Sequence, residues 1–130
     1  MIRVAAAFLV KDGKLLIARR KLGGQAGGAW ELPGGKIEKG ETPEECLARE
    51  FFEEFSVNIA VGEFFCSNVH AYPGQKIELL VYRAEYVSGT FELRDHEELT
   101  WAGLAELDQY TFAAADRPII EKIKGALGKA

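Results

Sequence analysis

Apolar positions change rhythm along the chain, and each rhythm predicts an element. "IRVAAAFLV", residues 2–10, is almost uninterrupted apolar sequence and reads as a buried strand. Asp12-Gly13 is a hairpin turn signal, and "KLLIARR", 14–20, is the return strand. The pattern then breaks. "KLGGQAGGA", 21–29, reads as a glycine-rich loop, and "WELPGG" as a short extended piece with a Pro-Gly-Gly turn. From Thr42 the apolar spacing becomes helical. Thr42-Pro43-Glu44-Glu45 is a start signal: threonine caps, proline suits the first turn and Glu45 closes a capping box. Strands follow near 59–70 and 76–87, separated by Pro73-Gly74, with a short strand around 99–101. "GLAELDQY" reads as a helical turn, and a last helix spans about 117–127. Strands dominate, with helices between and after them, which places the chain among mixed α/β or α+β sandwiches.

Composition narrows the class. A chain of 130 residues with 48% hydrophobic residues suits one domain, residues 1–130, with a real core. A net charge of −4 argues against a nucleic-acid polymer or an anionic membrane as partner, since both need a positive face. No apolar run approaches the ~18 residues of a bilayer span. The N-terminal run flows into a turn and reads as a strand, not as a signal peptide. Cys46 and Cys66 show no metal or redox spacing, so two reduced thiols in a cytoplasmic protein are expected. His70 and His96 are isolated, which disfavours zinc.

The first helix holds the unusual chemistry. On a wheel of about 100° per residue, Leu47, Phe51, Phe55, Ala48 and Phe52 fall in one arc, the expected core face. Glu50, Glu53 and Glu54 share another arc, although each like-charge pair costs a few tenths of a kcal/mol on a bare helix. One reading is a solvated acidic face with Arg49 pairing to Glu53. The other is a site for a hard divalent cation such as Mg²⁺, which takes carboxylates together with substrate phosphates.

The stretch from Gly35 to Val57 resembles the Nudix box: a glycine, a glutamate six residues on, then Arg-Glu-apolar-x-Glu-Glu-x-Gly-apolar. Gly35, Glu41, Arg49, Glu50, Phe51, Glu53, Glu54 and Val57 stand in register. Ser56 departs from the pattern, standing where the family usually has glycine. If that position has positive φ, serine costs on the order of 1 kcal/mol. The resemblance implies an α-β-α sandwich with a mixed central sheet and hydrolysis of a nucleoside diphosphate derivative. It implies Mg²⁺, with Mn²⁺ as a substitute, on Glu50, Glu53, Glu54 and the Gly34 carbonyl. Glu50, or a metal-bound hydroxide near it, would activate water; Arg49 would orient Glu50; Glu41 would anchor the loop.

Beyond the box, "LLIARR", "GGAWELPGGKIEKGETPEE", "DHEELTW" and "YTFAAADRPIIEKI" resemble the MutT-like branch, which cleaves nucleoside triphosphates to monophosphate and diphosphate. That likeness puts Arg20 and Lys36 on phosphates, although Arg19 and Arg20 also read as solvated residues at a strand end. Asp95 becomes an additional acid at the metal, with Glu98 as the alternative, against a plain polar loop. Asp116 becomes the base reader, against a plain helix N-cap. An ionised aspartate only accepts hydrogen bonds, so cytosine, 5-methylcytosine or guanine nucleotides, oxidised guanine included, fit it. Tyr72, Phe112 and Trp30 are candidates to stack on the base, against a plain core role. Competing expectations are an ADP-ribose or NADH hydrolase and a non-catalytic nucleotide sensor. The chain would act as a monomer or homodimer.

Overall fold

The computed structural model describes residues 1–20 and 28–128. Most of the glycine-rich loop expected over 21–29 lies outside the described residues. The strands are β1 (Ile2–Lys11), β2 (Lys14–Arg20), β3 (Trp30–Glu31), β4 (Gly34–Lys36), β5 (Val57–Tyr72), β6 (Gln75–Gly89) and β7 (His96–Gly103). Helix α1 spans Pro43–Phe55 and α2 spans Arg117–Leu127, with a 3-10 turn over Leu104–Gln109. They form one mixed sheet in the order β3-β2-β1-β6-β5, with β4 paired to β1 and β7 paired to β2. β1 runs parallel to β6, from Ile2 opposite Ile77 to Leu9 opposite Ala84, and antiparallel to its other neighbours.

Strand alternation explains the layers. Ala6 and Phe8 of β1 and Leu15 and Ile17 of β2 join one core with Ile119, Ile120 and Ile123 of α2. Ala5, Ala7, Leu9 and Leu16 point the other way and join Leu47, Phe51 and Phe55 of α1. A helix therefore covers each face, and the α-β-α sandwich follows from the period-two pattern of β1 and β2.

The expected turns are in place. Asp12 and Gly13 both have positive φ, at 53° and 75°, as a tight hairpin demands. The capping box closes as expected: Thr42 Oγ1 accepts from Glu45 N–H at 3.1 Å, and Glu45 Oε1 accepts from Thr42 N–H at 2.9 Å. Among the described residues no helix is long and apolar enough to cross a membrane.

β1 forks. Its last residues pair with β2, while Val4, Ala5 and Ala6 pair with Lys36, Gly35 and Gly34. Gly34 sits so close to β1 that an added Cβ would lie 2.8 Å from Ala6 Cα. The fork opens a cleft between the sheet ends, and β4 forms one wall of it.

Candidate active site

The buried arc of α1 differs from the wheel expectation. Cys46, Leu47, Phe51 and Phe55 are buried, whereas Phe52 is 59% exposed and Ala48 also faces solvent. The true inward arc is rotated by roughly 80° and takes in Glu50 and Glu54. These acids are not on a solvated face. Glu50 has a side chain only 16% exposed, and it lies against Gly35 of β4, where a Cβ would sit 2.5 and 2.6 Å from its two carboxylate oxygens. Cys46 steadies the same strand from below, its Sγ donating to the Gly35 and Lys36 carbonyls at 3.4 and 3.3 Å. Burial pushes that thiol up to about 12, so it stays a neutral donor. Cys66 is also buried and unbonded to Cys46.

Arg49 organises the acids. Its Nε and Nη2 donate to the two Glu41 oxygens at 2.7 and 3.0 Å, a bidentate pair. Nη1 donates to Glu50 at 3.0 Å and to Glu53 at 3.1 Å, and Nη2 also reaches the Lys36 carbonyl at 3.2 Å. The bonds from Arg49, then one from Glu38 N–H, hold the Glu41 carboxyl down to about 2. Glu41 is thus an anchor of the loop, as expected. The Arg49–Glu53 pair exists, but as one arm of a network that also aims Glu50.

Two acids are left in need of charge. Burial raises Glu50 above the ordinary carboxylate range in spite of Arg49. Glu54 is pushed up to about 7, by burial and then by its hydrogen bond with Asp95. Glu54 Oε2 is buried with no hydrogen-bond partner. In the chain by itself Glu50 and Glu53 lean on Arg49 while Glu54 leans on Asp95, and no group of three such acids among the described residues forms a ready-made shell. An all-oxygen set with an orphaned buried carboxylate oxygen fits a hard divalent cation. Glu98 is elsewhere: it pairs with Arg19 at 3.1 Å, as does Glu97 at 3.0 Å.

A cavity of about 240 Å³ also borders β4. Arg20, Glu31, Lys36, Tyr72, Gln75 and Asp116 supply its polar lining, with Gly34 and Gly35 forming one wall. Asp116 does not cap α2: no side-chain cap bond exists and its backbone is already helical. Instead its Oδ2 accepts from Leu32 N–H at 2.9 Å, 84 residues away. Burial, then the Glu31 charge, pushes this carboxyl up to about 7, against the pull of Leu32 N–H and Arg20. The Asp116 carboxyl thus lines the cavity with one oxygen committed to Leu32 N–H. Tyr72 lines the cavity and its hydroxyl accepts from Ala115 N–H at 3.0 Å, which ties β5 to the segment before α2. Phe112 stands apart. It is 5% exposed, packed in the core and outside the cavity lining, because the Trp30–Phe112 bridge turns its segment along the sheet. Trp30 packs edge-on to Tyr110 with ring centroids 5.0 Å apart.

Sequence reasoning missed Glu31 and His96. Glu31 is 9% exposed, and its two oxygens take Arg20 Nε at 2.6 Å and His96 Nε2 at 2.8 Å. Part of Arg20 is thus committed to Glu31 inside the cavity, and the rest of its guanidinium, about half exposed, faces the ligand space. The available signal was an acid enclosed in the apolar extended stretch "AWELP".

A profile of the NUDIX domain matches residues 4–122. The CTP pyrophosphohydrolase of Escherichia coli (strain K12) is 36% identical over 121 residues, covering 93% of this chain and 90% of that protein. The 8-oxo-dGTP diphosphatase of the same organism is 30% identical over 114 residues, covering 88% of each. The crystal structure of a MutT protein from Methanosarcina mazei Go1 superposes with a TM-score of 0.86 at 27% identity, covering 99% of this chain and 96% of that one.

Proposed function

The chain belongs to the Nudix family, and from that premise we propose that it is a Mg²⁺-dependent nucleoside triphosphate pyrophosphohydrolase, converting (d)NTP and water to (d)NMP and diphosphate. The observation that carries this reading is the placement of β4. One face of the Gly34–Lys36 ribbon borders the polar cavity, and Gly35 touches the Glu50 carboxylate. A nucleotide with its base in the cavity would run its phosphates along β4 toward α1.

Each group then has a role. Asp116 and Tyr72 face the base, with Glu31 holding Arg20 beside it. Arg20 and Lys36 are placed for phosphate oxygens. Arg49 fixes the Glu50 rotamer. Glu50, made more basic by burial, takes the proton of the attacking water at a carboxylate oxygen. Glu50, Glu53 and Glu54, with Asp95 and the Gly34 carbonyl, would hold Mg²⁺ or Mn²⁺, which lowers the pKa of bound water and offsets charge on the phosphates. The substrate is a cytosine nucleotide (CTP, dCTP or 5-methyl-dCTP) or an oxidised guanine nucleotide such as 8-oxo-dGTP. Residues 1–130 would work as one domain, in the reducing cytoplasm where two buried thiols persist.

The test is product analysis with Mg²⁺ over CTP, dCTP, 5-methyl-dCTP, dGTP, 8-oxo-dGTP, ADP-ribose and NADH, with Glu50→Gln as control. Monophosphate plus diphosphate from a triphosphate, lost by orders of magnitude in the variant, is the expected result. Cleavage of ADP-ribose or NADH alone would overturn the substrate assignment. Binding without turnover would overturn the enzyme reading.

A further inference from the structure

Helix α1 ends badly by itself. Its last two turns hold Glu50, Glu53 and Glu54, which is the wrong charge for a helix C-terminus, and no basic residue of its own lies in the last turn. Its C-cap, Ser56, sits at φ 59° and ψ 31°, a left-handed conformation that favours glycine. The segment before β7 answers both problems. Glu92 N–H donates to the Phe55 carbonyl at 2.9 Å. Arg94 Nη1 donates to the Glu53 carbonyl, and to that of Phe52 at 3.4 Å. Arg94 Nη2 donates to Ser56 Oγ at 2.7 Å and to Glu92 Oε2 at 3.0 Å, and Ser56 Oγ donates to Glu92 at 3.1 Å. The next residue is Asp95, whose carboxyl neighbours Glu54. The residue after that, His96, is fixed to Glu31 at 2.8 Å. Asp95 is therefore held from both flanks.

We propose that Ser56, Glu92 and Arg94 form a clasp that positions Asp95 against Glu54, so that the serine standing in the glycine position of the box is a working part of the cation site. The inference rests on the metal reading proposed above. Glycine at that position would suit the backbone better but would lack the hydroxyl that Arg94 and Glu92 share. The clasp residues are positioning residues: none of them is placed to touch the substrate.

A structural role and a positioning role predict opposite results for Ser56→Gly. The variant relieves the left-handed strain, so the metal-free melting temperature should be unchanged or raised. Mn²⁺ affinity, read by calorimetry or from the free-ion paramagnetic signal, should nevertheless weaken by roughly 10-fold, the scale at which supporting contacts act on metal sites. Arg94→Met should weaken it by roughly 10- to 100-fold. The double variant should match Arg94→Met, because both changes open one clasp. Parent-like Mn²⁺ binding by Ser56→Gly, or multiplicative losses in the double variant, would overturn the proposal. Failure of the parent itself to bind Mn²⁺ would overturn the metal reading beneath it, and that outcome is distinguishable before any variant is compared.

Discussion

Gly35→Ala should remove most of the activity while leaving the fold nearly intact. The new methyl carbon would sit 2.5 and 2.6 Å from the two Glu50 oxygens. The carboxylate carbon lies closer still, and ordinary carbon–carbon contacts begin at about 3.5 Å, so the carboxylate must retreat by more than about 1 Å. Retreat is feasible, because what is struck is the end of a side chain, not backbone. The stability loss should therefore stay near 1 kcal/mol, the scale of one strained hydrogen bond such as that from Arg49. Catalysis is less tolerant. Functional groups need to be held within about 0.5 Å, and a 1 Å misplacement costs roughly 10²-fold. That factor is about 2.7 kcal/mol of transition-state stabilisation. The assay is diphosphate release with Mg²⁺ and the best triphosphate, beside a melting curve. Gly34→Ala is the contrast. Its methyl would meet β1 backbone, 2.8 Å from Ala6 Cα and 2.9 Å from the Ala5 carbonyl carbon. It should cost about 1–3 kcal/mol or more of stability by overpacking. Within-error kcat/KM for Gly35→Ala, or loss of activity only in step with unfolding, would refute the cradle argument.

Arg49→Met should lower turnover and also flatten the acid limb of the stability curve. Arg49 holds Glu41 down to about 2, so the parent keeps that contribution above its ordinary value near 4.5 and loses it as pH falls toward 2; denaturant titrations between those pH values check this. Asp116→Asn should behave in the opposite sense. Asp116 is raised from 3.8 to about 7, so the folded state holds the extra proton and the parent loses stability as pH rises through that window. Asparagine can still accept from Leu32 N–H, so a melting-temperature gap in favour of the variant should open between about pH 4 and 7 and stay constant above. Glu31→Gln weakens the charged contact to Arg20 and alters the hydrogen bond with His96; we expect KM for the best nucleotide to rise by roughly 10-fold, with a stability loss of about 1–2 kcal/mol in a denaturant melt.

What the sequence showed clearly was whatever chemistry closes over a few residues. The Thr42 capping box, the Asp12-Gly13 hairpin and the buried strand over residues 2–10 depend on neighbours in the chain, and each is found as expected. The positive φ at Ser56 also follows from its place after the helix. Residues whose partners lie far away were only partly legible. Asp116 satisfied every local rule for a helix cap, yet its carboxylate is taken by Leu32 N–H across the cavity. Phe112 was a candidate to stack on the base, but the bridge to Trp30 commits it to the core. Glu31 had only a weak local signal, an acid inside an apolar stretch, because its partners Arg20 and His96 arrive on two other strands.

The wheel of α1 shows why such errors matter for function. Periodicity separates apolar from acidic residues, but it does not say where the buried arc begins. Counting only apolar residues centres that arc on Phe55 and Ala48, leaving the glutamates to solvent. The sheet and β4 decide otherwise: Cys46 hydrogen-bonds to β4, Glu50 lies against Gly35, and Phe52 is left outside. An apolar residue is thus exposed so that two acids can be enclosed. Enclosing an acid is unfavourable, and burial raises Glu50, in spite of Arg49, and Glu54 above the ordinary carboxylate value. A bound cation is what would reverse the sign of this cost. The same reasoning covers Ser56, whose strained backbone persists because its hydroxyl ties Arg94, and with it Asp95, to the end of the acidic helix.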